Sequence, residues 1–150
     1  MPGGDHFYTT SEQERDAAVS SYGYAFEQVA CYVHPGPVVG TSPLYRLVHN
    51  ENSEHFYTAS ESERDDAVMN LGYQIESVAA FVYKAQADGT VPLFRLVNDE
   101  TLDHFYTTSE SERDAAVSTY GYRSEDVAAY VFDSEQGGTV PLFRLVGVSS

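Results

Sequence analysis

The sequence predicts a β-rich α+β fold in which three strands and one short helix recur three times and close into a ring. Three observations carry that prediction: an uninterrupted internal period, a strand–helix–strand–strand pattern in each copy, and the phase at which the copies begin. His6, His55 and His104 open copies of His-Phe-Tyr-Thr spaced 49 residues apart. Arg15, Arg64 and Arg113 keep that interval, as do Arg46, Arg95 and Arg144, so no insertion interrupts a copy. More than half of the positions in 6–48, 55–97 and 104–146 are identical in all three. Such a period belongs to repeat architectures, whose units cover their apolar faces only by packing on neighbours. The 150 residues are read as one domain, 1–150, with repeats at about 5–53, 54–102 and 103–150.

The third copy justifies the elements in order. His104–Thr108 is aromatic and β-branched, the composition of a short strand. Ser109 follows as an N-cap with Glu112 at the capping-box spacing, and Ser11/Glu14 and Ser60/Glu63 repeat the pair. Arg113, Ala116, Val117 and Tyr120 carry the helix onward with one apolar stripe, and Gly121 ends it with Tyr122 folding back on the last turn. A second strand is predicted over Val127–Phe132 and a third over Val140–Val146, parted by the turn at Gly138-Thr139. Pro141, like Pro43 and Pro92, fits a strand start or an edge.

Phase then predicts closure. Leu93–Val97 precedes His104–Thr108 across a short loop, and Leu44–Val48 precedes His55–Thr58, so each pair reads as a hairpin. The third such pair can come only from Leu142–Val146 and His6–Thr10, the two ends of the molecule. Pairing them removes two bare sheet edges, as barrels and propellers do. The expectation is a closed, three-fold pseudo-symmetric ring, trefoil-like or three-bladed-propeller-like.

The motifs His-Phe-Tyr-Thr-x-Ser-x-x-Glu-Arg-Asp, Gly-Tyr-x-x-Glu-x-Val-Ala and Pro-Leu-Phe-Arg-Leu resemble a fungal and bacterial repeat family of unknown function. Its members often sit beside hydrolase domains in secreted proteins, so the resemblance implies an accessory, glycan-binding role. It covers essentially the whole chain; copy one departs with Tyr45 for Phe and Ser42 for Val. The general plan is also similar to that of a mushroom lectin, an analogy of architecture.

Charge narrows the partners. Asp and Glu outnumber Lys and Arg by 23 to 8, a net charge of −15, which argues against nucleic acid and anionic membrane. No apolar run is long enough to insert into a bilayer, and no classical signal peptide opens the chain, so it is expected to be cytosolic, secreted by another route, or numbered after processing. The one cysteine, Cys31, stands where the other copies have Ala80 and Ala129 and reads as a small buried residue. Monomer and small oligomer both fit.

No nucleophile-elbow, dinucleotide, phosphate-loop or zinc-protease motif is present, so no enzyme and no cofactor are expected. Nor is a metal: the histidines have no local ligand spacing, and the acidic loops Asn50–Glu54 and Asn98–Asp103 lack the alternating ligands and central glycine of a calcium loop. Both loops read as solvated hairpin tips. What remains is a repeated polar set: Arg95, His104 and Tyr106; Arg46, His55 and Tyr57; Arg144, His6 and Tyr8. Alternation puts each set on one strand face, with Phe94, Leu96 and Phe105 on the other. Guanidinium, imidazole and phenol together offer directional hydrogen bonds and a flat apolar surface, which is what a sugar needs. Glu27, Glu76 and Glu125 open the strand after each helix, where they would add an acceptor or clamp the arginine bidentately.

Two uses of that set stay open, a ligand pocket and a staple between repeats. The first makes the protein a multivalent lectin with up to three equivalent sites and glycans or glycoconjugates as partners. The alternative is a protein-interaction or protease-inhibitor module acting through one unlike loop, with His34-Pro-Gly-Pro in copy one as the rigid candidate.

Overall fold

The computed structural model describes residues 4–147; residues 1–3 and 148–150, the ends of the predicted 1–150 span, lie outside the described residues. In chain order the elements are β1 (His6–Thr9), α1 (Glu12–Ser21), β2 (Tyr24–Val33), β3 (Ser42–His49), β4 (His55–Thr58), α2 (Glu61–Asn70), β5 (Tyr73–Val82), β6 (Val91–Asn98), β7 (His104–Thr107), α3 (Glu110–Thr119), β8 (Tyr122–Val131) and β9 (Val140–Gly147). They form three units of α+β type, each a three-stranded antiparallel sheet with one short helix: β1-β9-β2, β4-β3-β5 and β7-β6-β8. We call these the first, second and third units.

The three strand pairs expected from the sequence, two hairpins and one pairing of the chain's ends, are present. His55 lies opposite Val48 and His104 opposite Val97. The first unit takes its central strand from the far end of the chain, with His6 opposite Val146 and Thr9 opposite Phe143. Pro141, near the start of β9, pairs only with Tyr32 of β2, because β1 stops at Phe143. Its missing N–H therefore faces an unpaired edge, which is why a proline is tolerated in a central strand.

Two details differ from expectation. The strand after each helix begins at Tyr24, Tyr73 or Tyr122, several residues before the predicted Val127–Phe132 segment. The helical stripe is also narrower. In α3 only Ala116 is buried, while Val117 and Tyr120 are 46% and 42% exposed. Capping carries these helices instead: Ser11, Ser60 and Ser109 each accept the N–H of the glutamate three residues on. Tyr122 does fold back onto Ala116, packing there with Leu96 and Phe105.

The core has two levels. Leu145, Leu47 and Leu96 pack with Phe7, Phe56 and Phe105 between each sheet and its helix. The opposite faces meet in one shared cluster containing Tyr8, Tyr57, Tyr106, Leu44, Leu93 and Leu142, with Cys31 seated among them. Burial pushes the Cys31 thiol up to about 12, so it stays protonated and packs as a small apolar group. Each sheet is thus covered on both faces, one by its helix and one by the other two units. No helix among the described residues is long and apolar enough to cross a membrane.

Candidate functional site

The predicted polar set divides into two groups in space. Tyr8, Tyr57 and Tyr106 leave the candidate surface, each being 1% exposed. The Tyr57 hydroxyl donates to the Tyr8 carbonyl at 2.8 Å and accepts the Tyr8 N–H at 2.7 Å. Tyr106 treats Tyr57 in the same way, and Tyr8 treats Tyr106. The rings meet edge-on at 5.2–5.4 Å. Every phenol is saturated by the neighbouring copy's backbone and none is free for a ligand. For the tyrosines, the staple replaces the pocket. The physical reason is that their strand face is the inner one, and a buried hydroxyl must find a partner there.

Arginine, histidine and glutamate do converge. Arg46 Nε donates to Glu76 at 2.9 Å, and His55 Nε2 lies 3.4 Å from the same oxygen. Arg95, His104 and Glu125 repeat this at 3.0 and 3.6 Å, and Arg144, His6 and Glu27 at 2.8 and 3.5 Å. The glutamates reach these positions because the register slips beside them. Phe26 and Gln28 face consecutive residues of β9, leaving Glu27 as the extra residue of a bulge, and Glu76 falls in the same break of β5. A bulge re-aims its side chain. Nothing in the sequence marks it, since no glycine is involved.

The bidentate clamp on arginine comes from residues that sequence spacing assigned only to capping. Arg46 Nη1 and Nη2 donate to Glu14 at 3.0 and 2.9 Å, Arg95 to Glu63 at 2.9 and 2.8 Å, and Arg144 to Glu112 at 3.0 and 2.7 Å. Glu27, Glu76 and Glu125 make the single Nε bond, so the expectation that they form the fork is corrected. The forked glutamate belongs each time to the helix of a different unit. Each arginine also lies over a phenylalanine of that unit, Phe7, Phe56 or Phe105, at 4.7–5.0 Å. The arginines are therefore joints between units. The helix glutamates spend their carboxylates on arginine and on Thr9, Thr58 or Thr107, so the capping box is completed by threonine: its hydroxyl accepts the cap N–H.

Protonation breaks the symmetry. Burial opposes a charge on His6 and His55, but hydrogen bonds to Asp103 and Glu27, and to Asp5 and Glu76, overcome it and raise both imidazoles to about 9. His104 Nδ1 has no such acid. Burial, joined by the Arg95 charge, lowers it to about 4. The three histidines thus share a position and differ in charge.

Beside two of the joints lie open grooves. The first, about 300 Å³, is lined by Phe7, Tyr22 and Tyr24 of one unit and by Arg46, His55 and Glu76 of the next. The second, about 160 Å³, has Phe56, Leu71 and Tyr73 against Arg95, His104 and Glu125. Tyr22 is 73% exposed at the mouth of the first. Sequence reasoning missed it because it sits in a helix-ending position that copy two fills with Leu71. At the third joint the imidazole of His6 is fully buried. Arg46 keeps N–H groups beyond its three bonds, and Glu76 is held ionised by its hydrogen bond to His55, against burial and with help from Arg46. The groove thus offers an aromatic wall, a fixed anionic acceptor and a fixed donor.

A family described as a domain of unknown function (DUF5648) matches residues 2–132 and, in a second overlapping stretch, residues 70–149. No curated protein and no solved structure matches the chain.

Proposed function

We propose, for a chain that belongs to the DUF5648 family, the function of a non-enzymatic, multivalent carbohydrate-binding protein whose sugar sites are the grooves between its units. One observation carries this reading: Phe7, Tyr22 and Tyr24 face Arg46, His55 and Glu76 across a groove of about 300 Å³. A pyranose presents an apolar C–H face and a rim of hydroxyls, and that groove supplies a ring surface opposite a donor and an acceptor. The volume is at the small end of ligand pockets, which suits one sugar ring. The charge of −15 favours neutral glycans over acidic ones.

The sites are unequal. Tyr22, Leu71 and Tyr120 stand at equivalent positions, and Ala17 in the first groove is Asp66 in the second. The first groove is therefore the principal site, and avidity on a repetitive surface compensates for weak single sites. This multivalency rests on a closed three-fold ring, which we also propose. The β1–β9 pairing and the cyclic hand-over among Tyr8, Tyr57 and Tyr106 support it.

A glycan array with the intact protein, followed by calorimetric titration of the best monosaccharide, tests this directly. Tyr22→Ala removes the exposed ring at little cost to the fold and is expected to weaken the principal site by about five- to tenfold, an aromatic contact of about 1–1.5 kcal/mol. Unchanged affinity in that variant, or an array with no hits, removes the groove from consideration. The inhibitor alternative has one observation in its favour. Val39, two residues after Pro37, is 99% exposed on a loop that Thr41 pins through its hydroxyl and N–H to Val38. Protease inhibition abolished by Val39→Asp would select that reading instead.

A further inference from the structure

Where the three units meet, the chain delivers one acid from each. Asp5, Glu54 and Asp103 each directly precede a His-Phe-Tyr-Thr strand. One carboxylate oxygen of each lies within 4.8 Å of the other two. This is not a solvated cluster: Asp103 is 0% and Glu54 8% exposed.

Two of the acids are held by a neighbouring unit. Asp5 accepts the His55 N–H at 2.9 Å, His55 Nδ1 at 2.5 Å and the Tyr24 hydroxyl at 2.7 Å. Asp103 accepts the His6 N–H at 2.7 Å, His6 Nδ1 at 2.6 Å and the Tyr122 hydroxyl. The third departs. Glu54 is one methylene longer than the aspartates, and its Oε2 is buried with no hydrogen-bond partner. His104 Nδ1, equivalent to the two aspartate-bound nitrogens, is likewise buried and unpartnered. The His104 ring is oriented like the others, since its Nε2 keeps the same glutamate contact at 3.6 Å. A buried acceptor of the cluster and the buried nitrogen of the residue that follows Asp103 thus lack hydrogen-bond partners, a condition native interiors rarely leave in place.

We propose that Asp5, Glu54 and Asp103 bind one divalent cation of the calcium type. The donors are all carboxylate oxygens, the set that calcium-like ions prefer over imidazole and thiolate. Three oxygens no more than 4.8 Å apart surround one centre from which small side-chain shifts reach bond lengths of about 2.3–2.6 Å. The histidine and tyrosine donors fix the aspartates from behind, the role that outer hydrogen bonds play at metal sites. The ion gives Glu54 Oε2 its missing partner, and a bound water donating to His104 Nδ1 gives that nitrogen one too. Neither acidic hairpin loop is itself a calcium loop. Each contributes only its last residue, and the third ligand, Asp5, comes from the residue before β1.

The test uses the full chain stripped with a chelator and titrated with Tb³⁺, which replaces Ca²⁺ and is sensitised by nearby tyrosine. The chain has 12 Tyr and no Trp, and two tyrosine hydroxyls touch the ligands. The expected result is saturable emission at one ion per chain, displaced by Ca²⁺, with a higher unfolding temperature in Ca²⁺. Glu54→Gln should weaken binding by about tenfold or more with unchanged circular dichroism, while Glu51→Gln on the exposed tip of the same loop should not. Asp103→Asn serves as the second ligand variant if Glu54→Gln does not fold. Emission that never saturates at one ion, Ca²⁺ that fails to displace it, or a folded ligand variant that binds as tightly as the parent overturns the proposal.

Discussion

The Tyr106 hydroxyl holds the Tyr57 backbone at both of its polar groups, donating to the carbonyl and accepting the N–H at 2.8 Å each. Tyr106→Phe keeps the ring and leaves a buried amide and carbonyl without partners, so it should cost about 1–3 kcal/mol. Thermal and denaturant unfolding read that loss, and sugar titration of the folded variant should remain as in the parent. A variant of full stability with one site missing would return the tyrosines to the pocket. The faces of these residues were legible in the sequence, because alternation separates Arg95, His104 and Tyr106 from Phe105 and Leu96. Which face looks inward was not. Both faces are covered here, and a repeat preserves staple residues and ligand residues equally well.

Among the elements, the helices show what local pattern can and cannot give. Their ends were readable from Ser11, Ser60 and Ser109 and from the glycines beyond, and Gly23, Gly72 and Gly121 do take positive φ. Gly23, at φ +76°, has nothing within 4 Å of where a Cβ would stand. Gly23→Ala should therefore cost about 1–2 kcal/mol from backbone strain alone, visible as a lower unfolding temperature without altered oligomeric state. An unchanged temperature would mean that the left-handed turn does not limit the helix. The destination of the Glu14, Glu63 and Glu112 side chains was not readable, since their arginine partners stand 32 positions away on another unit's sheet. Nor were the bulges at Glu27 and Glu76, which arise from register between strands and leave no local mark.

For the molecule as a whole, the phase of the repeat foretold the β1–β9 pairing, because it left only one partner for each end strand. The arginine forks add a pH dependence. Burial works against ionised Glu14, Glu63 and Glu112, and the hydrogen bonds from Arg46, Arg95 and Arg144 outweigh it, so all three carboxyls titrate below their ordinary 4.5. A carboxyl with a lowered folded pKa gives its stabilisation in full above the unfolded value and loses it as pH falls through the folded one. These side chains are 28–39% exposed, so solvent screening holds each contribution to about 1 kcal/mol. The forks' share of stability should stay level down to about pH 5 and then be lost, so the unfolding temperature of Glu63→Gln should fall less steeply below pH 5 than that of the parent. Parallel curves for parent and variant would deny the forks that role.

The longer side chain of Glu54 also has a kinetic meaning. All three joints carry an arginine fork, but the one between the second and third units lacks the acid–imidazole bond, His104 Nδ1 being unpartnered while His6 and His55 are bound. Thermal opening takes the least costly route, so transient excursions should begin at that seam and leave the other two shut. Native-state hydrogen exchange of the cation-free protein should then show the His104 and Phe105 amides trading their protons faster than the equivalent His6, Phe7, His55 and Phe56 amides. In a molecule built from nearly identical thirds, one methylene is enough to give the structure a place where it comes undone first.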